Sequence, residues 1–201
     1  MLKTKEAIEK RRSIRRYKPD PVTDDIIASL LEAARLAPSG CNAQPWRFKV
    51  VRDDDTKQKL AQAAFDQHFI ADAPLVLVCC ADIRGYLEGT VSGIEDLDRT
   101  GALEKRVAGI ILEKMAMMKG ATTEWMAPRI AFNVAIAVEH IVLRALDYGL
   151  GSCWIRLLDE QAIKSIFGWD EGLHVVCLLP LGYPAEDPGP RKRMTLEEIL
   201  L

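Results

Sequence analysis

Pro38-Ser39-Gly40-Cys41-Asn42-Ala43-Gln44-Pro45-Trp46 is an unusual connection between a helical pattern and a strand pattern. A proline near each end fixes its own φ and restricts the residue before it, so the loop is stiff. Ser39, Asn42 and Gln44 offer donors and acceptors at fixed positions. The edge of a heteroaromatic ring, with alternating N–H and C=O groups, requires such a set. The same side chains also suit a polar loop that caps its own backbone. On this stretch alone both readings stand.

The chain on either side sets the fold class. Upstream, Thr23 suits an N-cap and Asp24 and Asp25 suit a first turn. Ile26, Ile27, Leu30, Leu31, Ala34 and Leu36 follow helical spacing until Pro38 stops it. Downstream come a strand over 47–52, a surface helix over 53–65 and a connection over 67–74. Residues 75–81 (Leu-Val-Leu-Val-Cys-Cys-Ala) are apolar throughout, as in a strand buried on both faces. Residues 173–181 repeat that signature, a shorter strand starts at Ser152, and 159–167 reads as a short capped helix. Residues 123–148 form a long helix with Thr123 as its cap and Pro128 near its first turn. It is apolar on nearly all sides, which marks a central helix or half of a subunit interface. Residues 82–101 are polar and contain glycines, and 102–119 are helical in pattern. An insertion over about 85–123 fits a lid or an oligomer interface. Met115, Met117 and Met118 suit gap-filling core before adaptable surface.

A chain of 201 residues with 49% hydrophobic and 28% charged composition fits one domain spanning 1–201. A net charge of -2 and a pI near 6.0 weigh against nucleic-acid binding. The N-terminus lacks the apolar core of a signal peptide. No run approaches the roughly 18 uninterrupted apolar residues of a membrane helix, so a cytoplasmic location is expected. Five cysteines form no Cys-x-x-Cys pair, and His68, His140 and His174 lack ligand spacing, so no metal site is expected. Cys79, Cys80 and Cys177 read as buried core thiols.

Two basic clusters remain. Residues 3–12 read as a short helix, and 13–21, with Tyr17, Pro19 and Pro21, as extended loop. Within Arg11-Arg12-Ser13-Ile14-Arg15-Arg16, extended chain would put Arg11, Ser13 and Arg15 on one face. Guanidinium forks suit phosphate oxygens; a solvated basic turn is the plainer alternative. Arg191-Lys192-Arg193 follows the strand end Gly182-Tyr183-Pro184, ahead of a short helix or arm over 196–201.

Together and in this order, these features resemble the nitroreductase family of FMN-dependent oxidoreductases. Arg11-Arg12-Ser13-Ile14-Arg15-Arg16-Tyr17 is similar to its opening Arg-x-Ser-x-Arg/Lys-x-aromatic motif. Ala37-Pro38-Ser39-Gly40-Cys41-Asn42-Ala43-Gln44-Pro45-Trp46 is similar to its Ala-Pro-Ser-x-x-Asn-x-Gln-Pro-Trp motif. Gly149-Leu150-Gly151-Ser152-Cys153-Trp154-Ile155 and Leu179-Pro180-Leu181-Gly182-Tyr183-Pro184 match two further segments. The match runs from 7 to 200 and is weakest between 85 and 123.

The resemblance implies an α+β fold with a central mixed, mostly antiparallel sheet of four to five strands wrapped by helices. It implies a homodimer with FMN sites at the interface and NADH or NADPH as electron donor. Arg11, Arg12, Ser13, Arg15, Arg191 and Arg193 would hold the FMN phosphate. Pro38, Ser39, Asn42 and Gln44 would line the flavin, and Cys153, Trp154, Ile155 and Arg156 would face its ring; which subunit supplies each is open. Arg16 has no matching role. The family often has Glu-Gly where this chain has Arg156-Leu157. An Arg at that end of the ring would stabilise negative charge, or it faces solvent. Asp66 or Gln67 is the nearest match to further expected polar contacts.

The implied reaction is a ping-pong transfer from NAD(P)H to nitroaromatics, quinones or similar conjugated acceptors. It requires no acid or base side chain, so no catalytic residue and no metal is expected. The alternatives are a same-fold enzyme of flavin fragmentation, dehalogenation or ring dehydrogenation, and a non-catalytic flavin-binding module. Small-molecule partners are expected, without nucleic acid or membrane.

Overall fold

The computed structural model describes residues 2–118 and 120–201; Met1 and Lys119, the last residue of the helix expected over 102–119, lie outside the described residues. Four strands form one sheet in the order β1-β2-β4-β3: β1 (Trp46–Val51), β2 (Leu75–Asp82), β3 (Gly151–Ser152) and β4 (Leu173–Gly182). Every pairing between them is antiparallel. The parallel component of the expected mixed sheet is a single bridge between Ser13 and Ser152. The two apolar runs, β2 and β4, occupy the centre and pair Leu75 with Leu181 and Cys79 with Cys177. Helices then cover both faces, which is why these strands do not alternate in polarity.

One face carries α2 (Asp24–Arg35) and α7 (Thr123–Ala145). α7 buries Ile130, Val134, Ala137, Val138, Ile141 and Ala145 against Leu77, Cys79, Leu179 and Leu181. Each fully buried Leu, Ile or Val contributes about 1.5–3 kcal/mol, so this helix is the main support of the sheet. It is not enclosed all round: Phe132 and Trp125 are exposed. By length and composition 123–148 could cross a membrane, and half of its apolar window is buried here. Its cap is Thr122 rather than Thr123; the Thr122 hydroxyl accepts from Trp125 N–H. The other face carries α3 (Asp54–Ala63), α4 (Phe69–Asp72) and α8 (Glu160–Phe167) over Val76, Val78, Cys80 and Leu178. Asp53 and Asp159 cap α3 and α8 by accepting from Thr56 N–H and Ala162 N–H.

Three expectations need correction. Thr23 precedes α2 without a side-chain cap bond. Residues 82–101 are not irregular: α5 (Ile83–Arg99) is a 17-residue helix capped by Asp82, followed by α6 (Lys105–Met118). Its glycines obscured it, because glycine lowers helix propensity by about 1 kcal/mol each. Of the three methionines, only Met115 is buried; Met117 is exposed. The remaining helices are α1 (Thr4–Lys10) and, in an exposed C-terminal arm, α9 (Leu196–Ile199).

Candidate functional site

The N-terminal arm after α1 lies across the ends of β3 and β4. Ile14 N–H donates to Ser152 O (3.0 Å), Lys18 N–H to Tyr183 O (2.8 Å) and Ala185 N–H to Arg16 O (2.9 Å). The Tyr17 hydroxyl donates to Ile14 O at 2.6 Å, with Pro180 O at 3.3 Å. Burial pushes this phenol far above its ordinary range, helped by Cys153 and Glu186, so it stays protonated as a tether. The close approach depends on Gly151, where a Cβ would stand 2.4 Å from Ile14 Cγ1.

This routing brings the chain's two basic clusters together. A cavity of about 390 Å³ is lined by Arg11, Arg12, Ser13 and Arg15 from one end and Pro188, Gly189, Arg191 and Arg193 from the other. Among the described residues no carboxylate forms an ion pair with any of these arginines. Arg12 turns back onto Glu9 O and Arg11 O, Arg193 reaches Lys192 O, and Arg15 lies 5.9 Å over the Phe69 ring. The nearby carboxylate of Glu186 accepts from the backbone N–H groups of Arg15 (2.5 Å) and Arg16 (3.2 Å), which fixes the arm. Five guanidinium groups around one cavity repel one another unless an anion offsets them. A dianionic phosphate with several acceptor oxygens fits that donor set.

Cys153 follows the Ser13–Ser152 bridge directly, and its thiol points to Trp154 O at 3.9 Å. Burial raises the thiol above its ordinary range although Arg15 and Ser13 pull it down. A protonated, buried thiol is a packing residue, not a nucleophile. Trp154 is half-buried, and Ile155 is buried and bridges Leu178. Arg156 is exposed and makes no hydrogen bond or ion pair among the described residues. Asp66 is exposed with φ 58°, and the Gln67 amide donates to Ala64 O and Leu157 O. Gln67 therefore ties two loops together. Arg16 faces solvent.

The 38–46 loop is built differently. It contains a 3₁₀ turn, Gly40–Asn42, and three non-glycine residues in the left-handed region: Cys41 (φ 51°), Asn42 (φ 52°) and Gln44 (φ 47°). Asn tolerates that conformation; Cys and Gln do so at a cost. Gln44 N–H donates to Ser39 Oγ at 3.0 Å, and Gln44 Nε2 donates to Asn42 Oδ1 at 3.2 Å. Asn42 Nδ2 and Gln44 Oε1 keep no partner among the described residues, so one donor and one acceptor remain for a ligand. None of Pro38, Ser39, Asn42 and Gln44 lines the arginine cavity. Within one chain the two expected halves of the site are separate.

Two supports of this loop escaped the sequence reading. Asn133, on the buried face of α7, accepts from Gly40 N–H through Oδ1 at 2.9 Å. α5 lies against the loop through Gly89 and Gly93, where a Cβ would stand 2.3 Å from Ala43 O and 1.6 Å from Cys41 O. Glycine at every fourth position, 85, 89 and 93, was the available signal.

The chain was compared with known proteins. The family model described as the nitroreductase family matches residues 8–183. An NADH dehydrogenase of Thermus thermophilus is 37% identical over 205 residues, covering 100% of this chain and 96% of its own. An iodotyrosine deiodinase of Thermotoga neapolitana is 29% identical, covering 91% of this chain and 89% of its own. The solved NADPH:FMN oxidoreductase of Vibrio harveyi complexed with NAD+ superposes with a TM-score of 0.76 at 23% identity, covering 98% of this chain and 76% of that one.

Proposed function

This chain belongs to the nitroreductase family and is an NAD(P)H-dependent flavin oxidoreductase, and we propose that it passes electrons to nitroaromatic, quinone or similar conjugated acceptors in a ping-pong cycle. The observation that carries this reading is the arginine cavity, where two sequence-distant basic clusters meet around space for one anion. Bound FMN would supply hydride uptake from NADH or NADPH and delivery to the acceptor. The protein's part is binding and orientation. Arg11, Arg12, Ser13, Arg15, Arg191 and Arg193 hold the phosphate by charge and forked donors. Asn42 and Gln44 offer one amide donor and one amide acceptor to the ring edge, with Pro38 and Ser39 fixing the loop. Cys153, Trp154 and Ile155 present backbone beside the ring, and Arg156 supplies an unpaired cation near it. No acid or base side chain is assigned.

The separation of the 38–46 loop from the cavity supports a homodimer in which each FMN site draws on two subunits. Exposed Phe132, Trp125 and Met117 supply apolar surface for such an interface. We place the protein in the cytoplasm as a single domain, with about 85–123 as a lid or interface insertion whose helix α5 lies against the 38–46 loop. A reductive dehalogenase is the second reading, favoured by the deiodinase relative. Purified protein should be yellow, show flavin absorbance and oxidise NADH or NADPH with a nitroaromatic or quinone. Turnover of an iodotyrosine alone from such a panel selects the second reading. Protein that stays colourless and inactive after soaking in FMN overturns both.

A further inference from the structure

We propose that Gly89 and Gly93 of α5 and Asn133 of α7 are positioning residues that hold the 38–46 loop in the left-handed conformation presenting Asn42 and Gln44 to the flavin. The inference rests on the FMN reading above. Three points of the loop backbone are gripped. Gly40 N–H is held by the buried Asn133 amide at 2.9 Å. Cys41 O and Ala43 O lie where Cβ atoms at Gly93 and Gly89 would stand, at 1.6 and 2.3 Å. Real Cβ atoms do not approach this closely, so the helix can seat on the loop only as glycine at both positions.

The gripped points surround Asn42. On either side of it the chain takes φ values that side chains with a Cβ disfavour, 51° at Cys41 and 47° at Gln44. A loop released from α5 would relax toward ordinary φ values. That relaxation turns the peptide planes and with them the two amides. Strained backbone persists where surrounding structure over-determines it, and here the surrounding structure is α5 and Asn133. α5 thereby acts on the flavin site through the loop backbone.

The test measures FMN dissociation constants, by quenching of FMN fluorescence, and the visible circular dichroism of bound flavin. The proteins are the full chain, Gly89→Ala, Asn133→Ala and, as control, Gly109→Ala, an exposed α6 glycine whose Cβ would meet nothing within 4 Å. Gly89→Ala and Asn133→Ala should each weaken FMN binding about tenfold or more and alter the dichroism, while Gly109→Ala matches the parent. Combined with Gln44→Ala, which removes the amide the loop presents, each should add less than about twofold, because coupled positions are non-additive. Where Gly89→Ala does not fold, Asn133→Ala decides. Variants that lose thermal stability yet bind FMN with parental affinity and dichroism overturn the proposal, as does full additivity with Gln44→Ala. A parent that binds no FMN removes the FMN reading and this inference together; a parent that binds, with unchanged variants, removes only this one.

Discussion

The arginine cavity and the 38–46 loop, the two halves of the proposed site, are built by opposite means. The cavity is made of chain ends: Arg15, Arg191 and Arg193 are exposed, and the 190–201 arm is exposed throughout. Its anchors include backbone bonds to Ser152, Tyr183 and Glu186 and the Tyr17 hydroxyl tether. The loop is gripped on two sides and holds three residues at left-handed φ. A phosphate attracts cations from any direction, so long, adaptable side chains suffice to bind it. A ring edge is read only by donors and acceptors at fixed places, and fixing them demands rigid backbone. The proposed site would therefore leave charge recognition to exposed arginines, and shape recognition to a loop held by the core.

The largest effect should come from the cavity. Arg15→Ala should weaken FMN binding roughly 10- to 150-fold, since a hydrogen bond to a charged group contributes about 1.5–3 kcal/mol. Riboflavin, which lacks the phosphate, should bind parent and variant alike, and added salt should weaken FMN but not riboflavin binding. Titrations with both ligands decide this; an equal loss for riboflavin would break the division of labour. Apo stability should not fall, because the substitution relieves repulsion in an exposed cluster.

A smaller effect belongs to the loop. Cys41→Gly places the residue best suited to φ 51° at a strained position. Left-handed strain of about 1–2 kcal/mol, less the added freedom of the unfolded chain of about 0.4–1 kcal/mol, predicts a net gain of some tenths to about 1 kcal/mol in the apo protein. Thermal melting should show a rise of about 2–4 °C per kcal/mol for a chain of this size. No rise would mean that the loop stores no strain, and the contrast with the cavity would weaken.

The smallest effect separates both regions from the frame that supports them. Glu160 of α8 is half-buried, which alone would raise its pKa, but His174 Nδ1 (2.8 Å), Lys164 Nζ (3.1 Å) and Val175 N–H (3.0 Å) outweigh that burial and hold it at about 2. Its folded pKa is below the ordinary 4.5, so its contribution is complete above about pH 4.5 and lost as pH falls toward 2. Acid titration by circular dichroism should show Glu160→Gln less sensitive than the parent across that window. FMN release from the parent in that window should track global unfolding; release well before it would show a site that titrates on its own.

How much of this was legible beforehand differs between the two regions. The two basic clusters could be read from their letters, and the family resemblance, not the charge alone, implied a phosphate for them. The buried strands were legible as well: seven apolar residues from Leu75 to Ala81 have few places to go other than a sheet covered on both faces. α5 was not legible, because Gly85, Gly89 and Gly93 argue against a helix locally, and Gly89 and Gly93 make sense only once the loop lies against them. Asn133 stands alone among apolar neighbours in sequence, and nothing local points to its partner Gly40, 93 residues away.

The sequence by itself determined most of the elements, the buried centre of the sheet, the family and the two basic clusters of the proposed anion site, because periodicity and charge are properties of near neighbours. Only the tertiary structure decided that residues 11–15 and 191–193 line one cavity, that residues 38–44 stand apart from it, and that a glycine-bearing helix holds those residues in place. Such facts depend on close approach between segments far apart in the chain, and sequence distance carries no record of how near two backbones come.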